Sequence, residues 1–226
     1  MNAAKANNTG EKARQLQRTL YRAAKEKPTR RFHALYDKIY REDIMTHAWQ
    51  QVKANRGSAG IDKVTIQYIR EKYGEERFIR ETCDQLRNGT YRPSPVKRVE
   101  IPKGDGRTRP LGIPTVRDRL VQMAAKIVLE SIFEADFKDF SYGFRPKRSA
   151  HDALRKIMDT VNNGKVYWVV DVDIKGYFDN IPHDKLMTLV AQRVSDRRVL
   201  KLIRGWLTAG VMEDDQFHES VLGSPQ

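Results

Sequence analysis

Hydrophobic positions along the chain repeat mostly with a helical period. In residues 11–26, Ala13, Leu16, Leu20 and Ala24 fall on one face, with Arg14, Arg18, Arg22 and Lys25 elsewhere, so this stretch predicts a basic amphipathic helix that ends before Pro28. A second helical region runs from Phe32 to Ala54 with a break near Glu42, and Asn55–Gly60 reads as a loop. Residues 64–87 are helical but weakly patterned. The period then changes: Val96–Ile101 and Arg107–Leu111 are extended runs on either side of Lys103-Gly104-Asp105-Gly106, which predicts a β-hairpin with an Asp-Gly turn.

Helical spacing returns at 117–134, where Leu120, Met123, Ala124, Ile127 and Val128 predict a core face. Ser149 is placed to cap a helix carrying Ala150, Leu154, Ile157, Met158 and Val161 on one side. Val166–Ile174 is rich in β-branched and aromatic residues and predicts a strand buried on at least one face. Two amphipathic helices follow Pro182. Asp214-Asp215 reads as a solvated loop, and Tyr142 and Phe144, beside Gly and Pro, read as core plugs.

Composition narrows the class. The 226 residues carry 42 Lys plus Arg against 29 Asp plus Glu, a formal charge of +13, and are 39% hydrophobic. That is a folded protein with an acidic or polyanionic partner rather than a disordered basic tail. The excess is local: residues 1–41 hold eleven basic and three acidic side chains, residues 92–119 eight and three, and the remainder balances. The first ten residues read as a solvated tail, whereas the second cluster coincides with the hairpin. A single cysteine, Cys83, excludes an intrachain disulfide and a Cys-rich zinc site, so the expected location is cytoplasmic. No run approaches the ~18 apolar residues of a membrane span.

Chemistry concentrates at Asp171, Asp173 and Asp179. On a regular strand Asp171 and Asp173 share a face, and a carboxylate among valines must be paired, protonated or bound to a cation. Carboxylates are the hard ligands Mg²⁺ uses beside substrate phosphates. A cap or an ion pair with Lys175 is the structural alternative.

Asp173-Ile174-Lys175-Gly176-Tyr177-Phe178, continuing to Leu186, resembles the first carboxylate motif of reverse transcriptases, in the form carried by bacterial group II intron-encoded reverse transcriptase/maturases. Three further blocks follow the family's order: Ile101–Thr115 with Arg117-Asp118-Arg119, Ser141–Leu154, and Gly223-Ser224-Pro225-Gln226. The resemblance implies an α+β right-hand polymerase: a basic N-terminal extension (1–31), helix-rich fingers with a basic β-hairpin (32–165) and the beginning of a palm (166–226) that stops before the family's aromatic-x-Asp-Asp motif. A chain ending there is expected to be inactive alone.

By the same resemblance Asp173 and the Ile174 carbonyl bind a two-metal Mg²⁺ site. Lys103, Arg109, Lys175, Gly176, Tyr177, Phe178 and Gln226 meet the dNTP, with Phe178 excluding a ribose 2′-hydroxyl. Arg14, Arg18, Arg22, Arg30, Arg31, Arg117 and Arg145 face nucleic acid; for Arg145 a loop-closing salt bridge is the alternative. The implied function is RNA-directed DNA synthesis in intron mobility together with intron RNA binding that assists splicing. Implied partners are intron RNA and an RNA template with DNA primer, without a membrane; a homodimer is left open. A non-catalytic RNA-binding maturase and a retron-type reverse transcriptase are the alternatives.

Overall fold

The computed structural model describes residues 3–102, 104, 106–164 and 166–224. Its helices are α1 (Ala3–Glu26), α2 (Tyr36–Ile39), α3 (Glu42–Ala54), α4 (Ile66–Tyr68, extended by a wider turn through Tyr73), α5 (Glu75–Arg87), α6 (Val116–Glu134), α7 (Ala150–Gly164), α8 (His183–Arg193) and α9 (Arg197–Leu207). Four strands, β1 (Val96–Pro102), β2 (Thr108–Ile113), β3 (Val211–Glu213) and β4 (Gln216–His218), form one mixed sheet in the order β2-β1-β3-β4. The fold is α+β, as expected. The expected tail is instead helical from Ala3, with Thr9 and Gly10 already buried.

The core lies where α3 packs on α6 and α1 crosses both. Trp49, Ile44 and Met45 of α3 meet Leu120, Val121 and Val128 of α6, all fully buried. Small residues, Ala13 and Ala24, let α1 approach closely. Gly74, at φ 95, separates α4 from α5, which accounts for the weak pattern over 64–87.

The hairpin forms as expected, with β1 and β2 antiparallel from Lys97–Ile113 to Pro102–Thr108. β3 and β4 were not anticipated. They are only three residues each, and Asp214 and Asp215 both adopt positive φ in the turn between them, the backbone of a two-residue hairpin. β3 joins β1 in parallel through Val96–Val211 and Lys97–Met212.

Two further expectations fail. Val166–Ile174 has no regular structure and is exposed throughout, with Trp168 at 89%. Its residues favour a strand, but a strand requires a hydrogen-bonded neighbour, and none of the described strands lies beside it. Phe144 is no core plug: it has φ 56 in a turn and its ring is fully exposed.

Candidate active site and nucleic-acid interface

The basic hairpin is held at its root by a buried polar network. The hydroxyl of Tyr91 donates to Asp118 Oδ1 at 2.6 Å, Thr115 Oγ1 and the Ser94 N–H donate to Oδ2 at 2.7 and 3.2 Å, and Trp206 Nε1 donates to the Tyr91 oxygen at 3.1 Å. Thr115 in turn accepts the Asp118 N–H, capping α6. Burial pushes the Asp118 carboxyl above its ordinary range, against the pull of these donors. The segment before β1, the start of α6 and the end of α9 thus meet at one carboxylate.

Arg109 stands opposite Ile101, so it shares a face of the hairpin with Lys97, Val99 and Leu111. It is exposed and makes no ion pair with a described residue. Lys103 lies outside the described residues, as does Gln226. Arg117 turns away from this surface: its guanidinium sits 5.2 Å from the Phe78 ring and 3.9 Å from Glu81, half-buried against α5. Arg119 donates to the Ser58 carbonyl.

Asp171 and Asp173 are exposed, and Asp173 has no hydrogen bond or ion pair with a described residue. Without a regular strand the alternation that would put both on one face does not apply. No group of three His, Cys, Asp or Glu placed to hold a metal occurs among the described residues. After Ile174 the chain tightens. Gly176 adopts φ 62, its carbonyl accepts Asn180 Nδ2 at 2.7 Å, and Phe178–Asn180 form a single helical turn. Tyr177 and Phe178 lie edge to face at 5.4 Å, both exposed.

The last block closes on this turn. Ser224 N–H donates to the Phe178 carbonyl and Gly223 N–H to the Ile181 carbonyl, both at 2.9 Å, and Pro182 bridges Leu222 antiparallel. Gly223 has φ 77, and a Cβ there would lie 2.7–2.9 Å from backbone atoms of Phe178 and Asp179. No other residue fits. Two of the blocks found in the sequence are therefore neighbours.

Arg14, Arg18 and Arg22 are exposed at successive turns of α1 without ion pairs to described residues. Arg30 stacks on Phe32 at 5.1 Å and Arg31 donates to the Ala191 carbonyl at 2.9 Å, so these two help dock the chain onto α8. Arg145 does not face an open surface. It is buried, pairs with Glu134 through Nε and Nη2, donates through Nη1 to the carbonyls of Lys138 and Ser141, and lies over Phe137. Its donors close the loop, and none of these contacts leaves it directed at a phosphate.

Sequence reasoning missed two anchors. Arg193 is buried and donates to the carbonyls of Ala24 and Pro28 at the end of α1 while its Nε faces Asp136 at 2.9 Å. Asp196 caps α9 and also accepts two backbone N–H groups from the start of α2. Neither had a local signal beyond a cap before an amphipathic helix. The Thr115-x-x-Asp118 spacing, by contrast, is a capping-box signature.

Residues 101–226 match the family described as reverse transcriptase (RNA-dependent DNA polymerase). The chain is similar to the group II intron-encoded protein LtrA of Lactococcus lactis subsp. cremoris, 40% identical over 196 residues that make up 86% of this chain and 32% of that protein. It is similar to protein YkfC of Escherichia coli K12, 35% identical over 217 residues, covering 94% of this chain and 56% of YkfC. A nuclear intron maturase 1, mitochondrial, of Arabidopsis thaliana is 35% identical over 94 residues, covering 42% of this chain and 13% of the maturase. The chain spans about a third of the length of LtrA and little over half that of YkfC. The matched residues include the end of β1 and all of β2, the Asp173–Phe178 segment and the Gly223–Ser224 contact, and the chain belongs to the reverse transcriptase family.

Proposed function

We propose that this chain is the fingers and the first part of the palm of a group II intron-encoded reverse transcriptase that copies RNA into DNA during intron mobility and binds intron RNA to assist splicing. The observation that carries the reading is the Ser224–Phe178 hydrogen bond, 2.9 Å long. It joins the two blocks that the resemblance assigns to one nucleotide pocket.

In this reading the substrate is a dNTP on an RNA template with a DNA primer. Arg109 offers a planar fork to the triphosphate, free of competing carboxylates among the described residues. Phe178 presents its ring to the sugar, and the backbone from Ile174 to Tyr177 lines the phosphates. Asp173, accessible and without an ion pair to a described residue, fits Mg²⁺ as a hard-oxygen ligand, with the Ile174 carbonyl as a second donor. When bound, the ions supply charge stabilisation for in-line phosphoryl transfer. The described residues gather no three-ligand site, and the aromatic-x-Asp-Asp element does not occur in these 226 residues. Asp173 is this chain's share of the site. Arg14, Arg18 and Arg22 on α1 carry the backbone attraction to template or intron RNA.

The test is incorporation of labelled dNTP by the full-length protein on an RNA template with an annealed DNA primer. Template-dependent, Mg²⁺-dependent extension is expected. RNA binding without extension would favour the splicing-cofactor reading instead.

A further inference from the structure

We infer that His183 is a positioning residue for the nucleotide site: its ring locks the Gly223–Ser224 backbone onto Phe178 and thereby sets how strictly the sugar is read. This rests on the polymerase reading above and names a residue to which that reading gives no role. His183 opens α8, is buried, and has Nε2 2.7 Å from the Gly223 carbonyl oxygen. A carbonyl only accepts, so Nε2 carries the hydrogen and the ring donates.

Among the described residues, the other hydrogen bonds between the two blocks run backbone to backbone. Gly223 N–H bonds Ile181, Ser224 N–H bonds Phe178, and Pro182 bridges Leu222. His183 supplies the side-chain hydrogen bond that fixes where that backbone sits. Phe178 itself is 46% exposed, stands edge to face with Tyr177 and is not among the residues of the buried core, so core packing does not hold its ring. Its placement follows from its own carbonyl, which is tied to Ser224. His183 is in turn a rigid platform, because the far end of α8 is fastened by Arg193 to the end of α1 and to Asp136.

Two variants of the full-length protein separate the possibilities. His183→Gln keeps an N–H donor at comparable reach, and His183→Leu removes it. Expected for His183→Leu is at least a tenfold loss of dNTP-over-rNTP discrimination, a raised KM for dNTP with unchanged RNA affinity, and at least tenfold faster hydrogen exchange at the Gly223 and Ser224 amides. His183→Gln should stay close to wild type in all of these. If His183→Leu does not fold, His183→Asn, whose shorter amide falls short of Gly223, takes its place. Faster exchange with unchanged discrimination would overturn the inference, leaving His183 a purely structural group; so would unchanged exchange. A wild-type protein that incorporates neither sugar overturns the polymerase reading itself, and this is told apart because failure of the His183 inference leaves wild-type synthesis intact.

Discussion

Asp196 accepts the backbone N–H of Tyr36 at 2.9 Å, and the same carboxylate oxygen accepts that of Leu35 at 2.9 Å. Its other oxygen caps α9 through Arg198 N–H at 3.0 Å. The neighbouring Phe32 bridges Val194 in parallel, so the chain just after the basic helix is sewn to the helices that follow Asp173. Burial would raise the Asp196 carboxyl, but the N–H groups of Tyr36, Leu35, Arg198 and Val199 outweigh it and hold it below the ordinary carboxylate range.

Asp196→Ala should therefore lower stability by about 2–4 kcal/mol at neutral pH, the loss of a buried cap and two further charge-assisted bonds. A carboxyl depressed in the folded state stabilises fully above its unfolded pKa, about 3.9, and that contribution disappears as pH falls through the folded value. Urea midpoints at pH 7 and pH 3 check this: the gap between wild type and variant should narrow at the lower pH. An equal gap at both would contradict the assignment.

Tyr91→Phe removes one hydroxyl and leaves the buried Asp118 Oδ1 and the half-buried Trp206 Nε1 short of a partner. A cost of about 1–3 kcal/mol is expected, with faster amide exchange in β1, because the network anchors the hairpin root. Thermal unfolding and exchange read the two effects separately. A variant as stable as wild type would mean the network is dispensable.

Replacing Arg14, Arg18 and Arg22 together by Gln should change stability by less than about 0.5 kcal/mol, since all three are exposed and form no ion pair with a described residue. RNA affinity should fall, and the slope of log K against log salt should shrink by about 2, three contacts at roughly 0.7 each for a single strand. Filter binding across a salt series measures it. An unchanged slope would remove α1 from the RNA surface.

The helices were legible because their periodicity is local, and so was the hairpin, whose Asp-Gly sequence signal and flanking extended runs lie within one short segment. β3 and β4 were not: three-residue strands carry no period, and their place beside β1 depends on a parallel pairing of Val96 with Val211, across about half of the chain. The failure at Val166–Ile174 has a different cause. Its side chains state a preference for a sheet, and a preference makes no hydrogen bonds. In the candidate site, Asp173 and Phe178 were visible as motif residues, whereas their exposure was not, because the sequence predicts a buried strand there. Arg145 shows the opposite case, since a basic residue in a motif loop proves to be committed to Glu134 and two carbonyls. Nothing in spacing distinguishes a guanidinium that faces phosphate from one that closes its own loop.

In the proposed function Asp173 takes part in the chemistry while the basic surfaces bind RNA. This division of roles is tested most directly by Asp173→Ala in the full-length protein, with templated DNA synthesis and RNA affinity measured on the same preparation. Synthesis should fall by at least about a thousandfold, a loss of some 4 kcal/mol of transition-state stabilisation, while RNA affinity stays within about twofold. Synthesis that survives the substitution, or affinity that falls with it, would contradict the account.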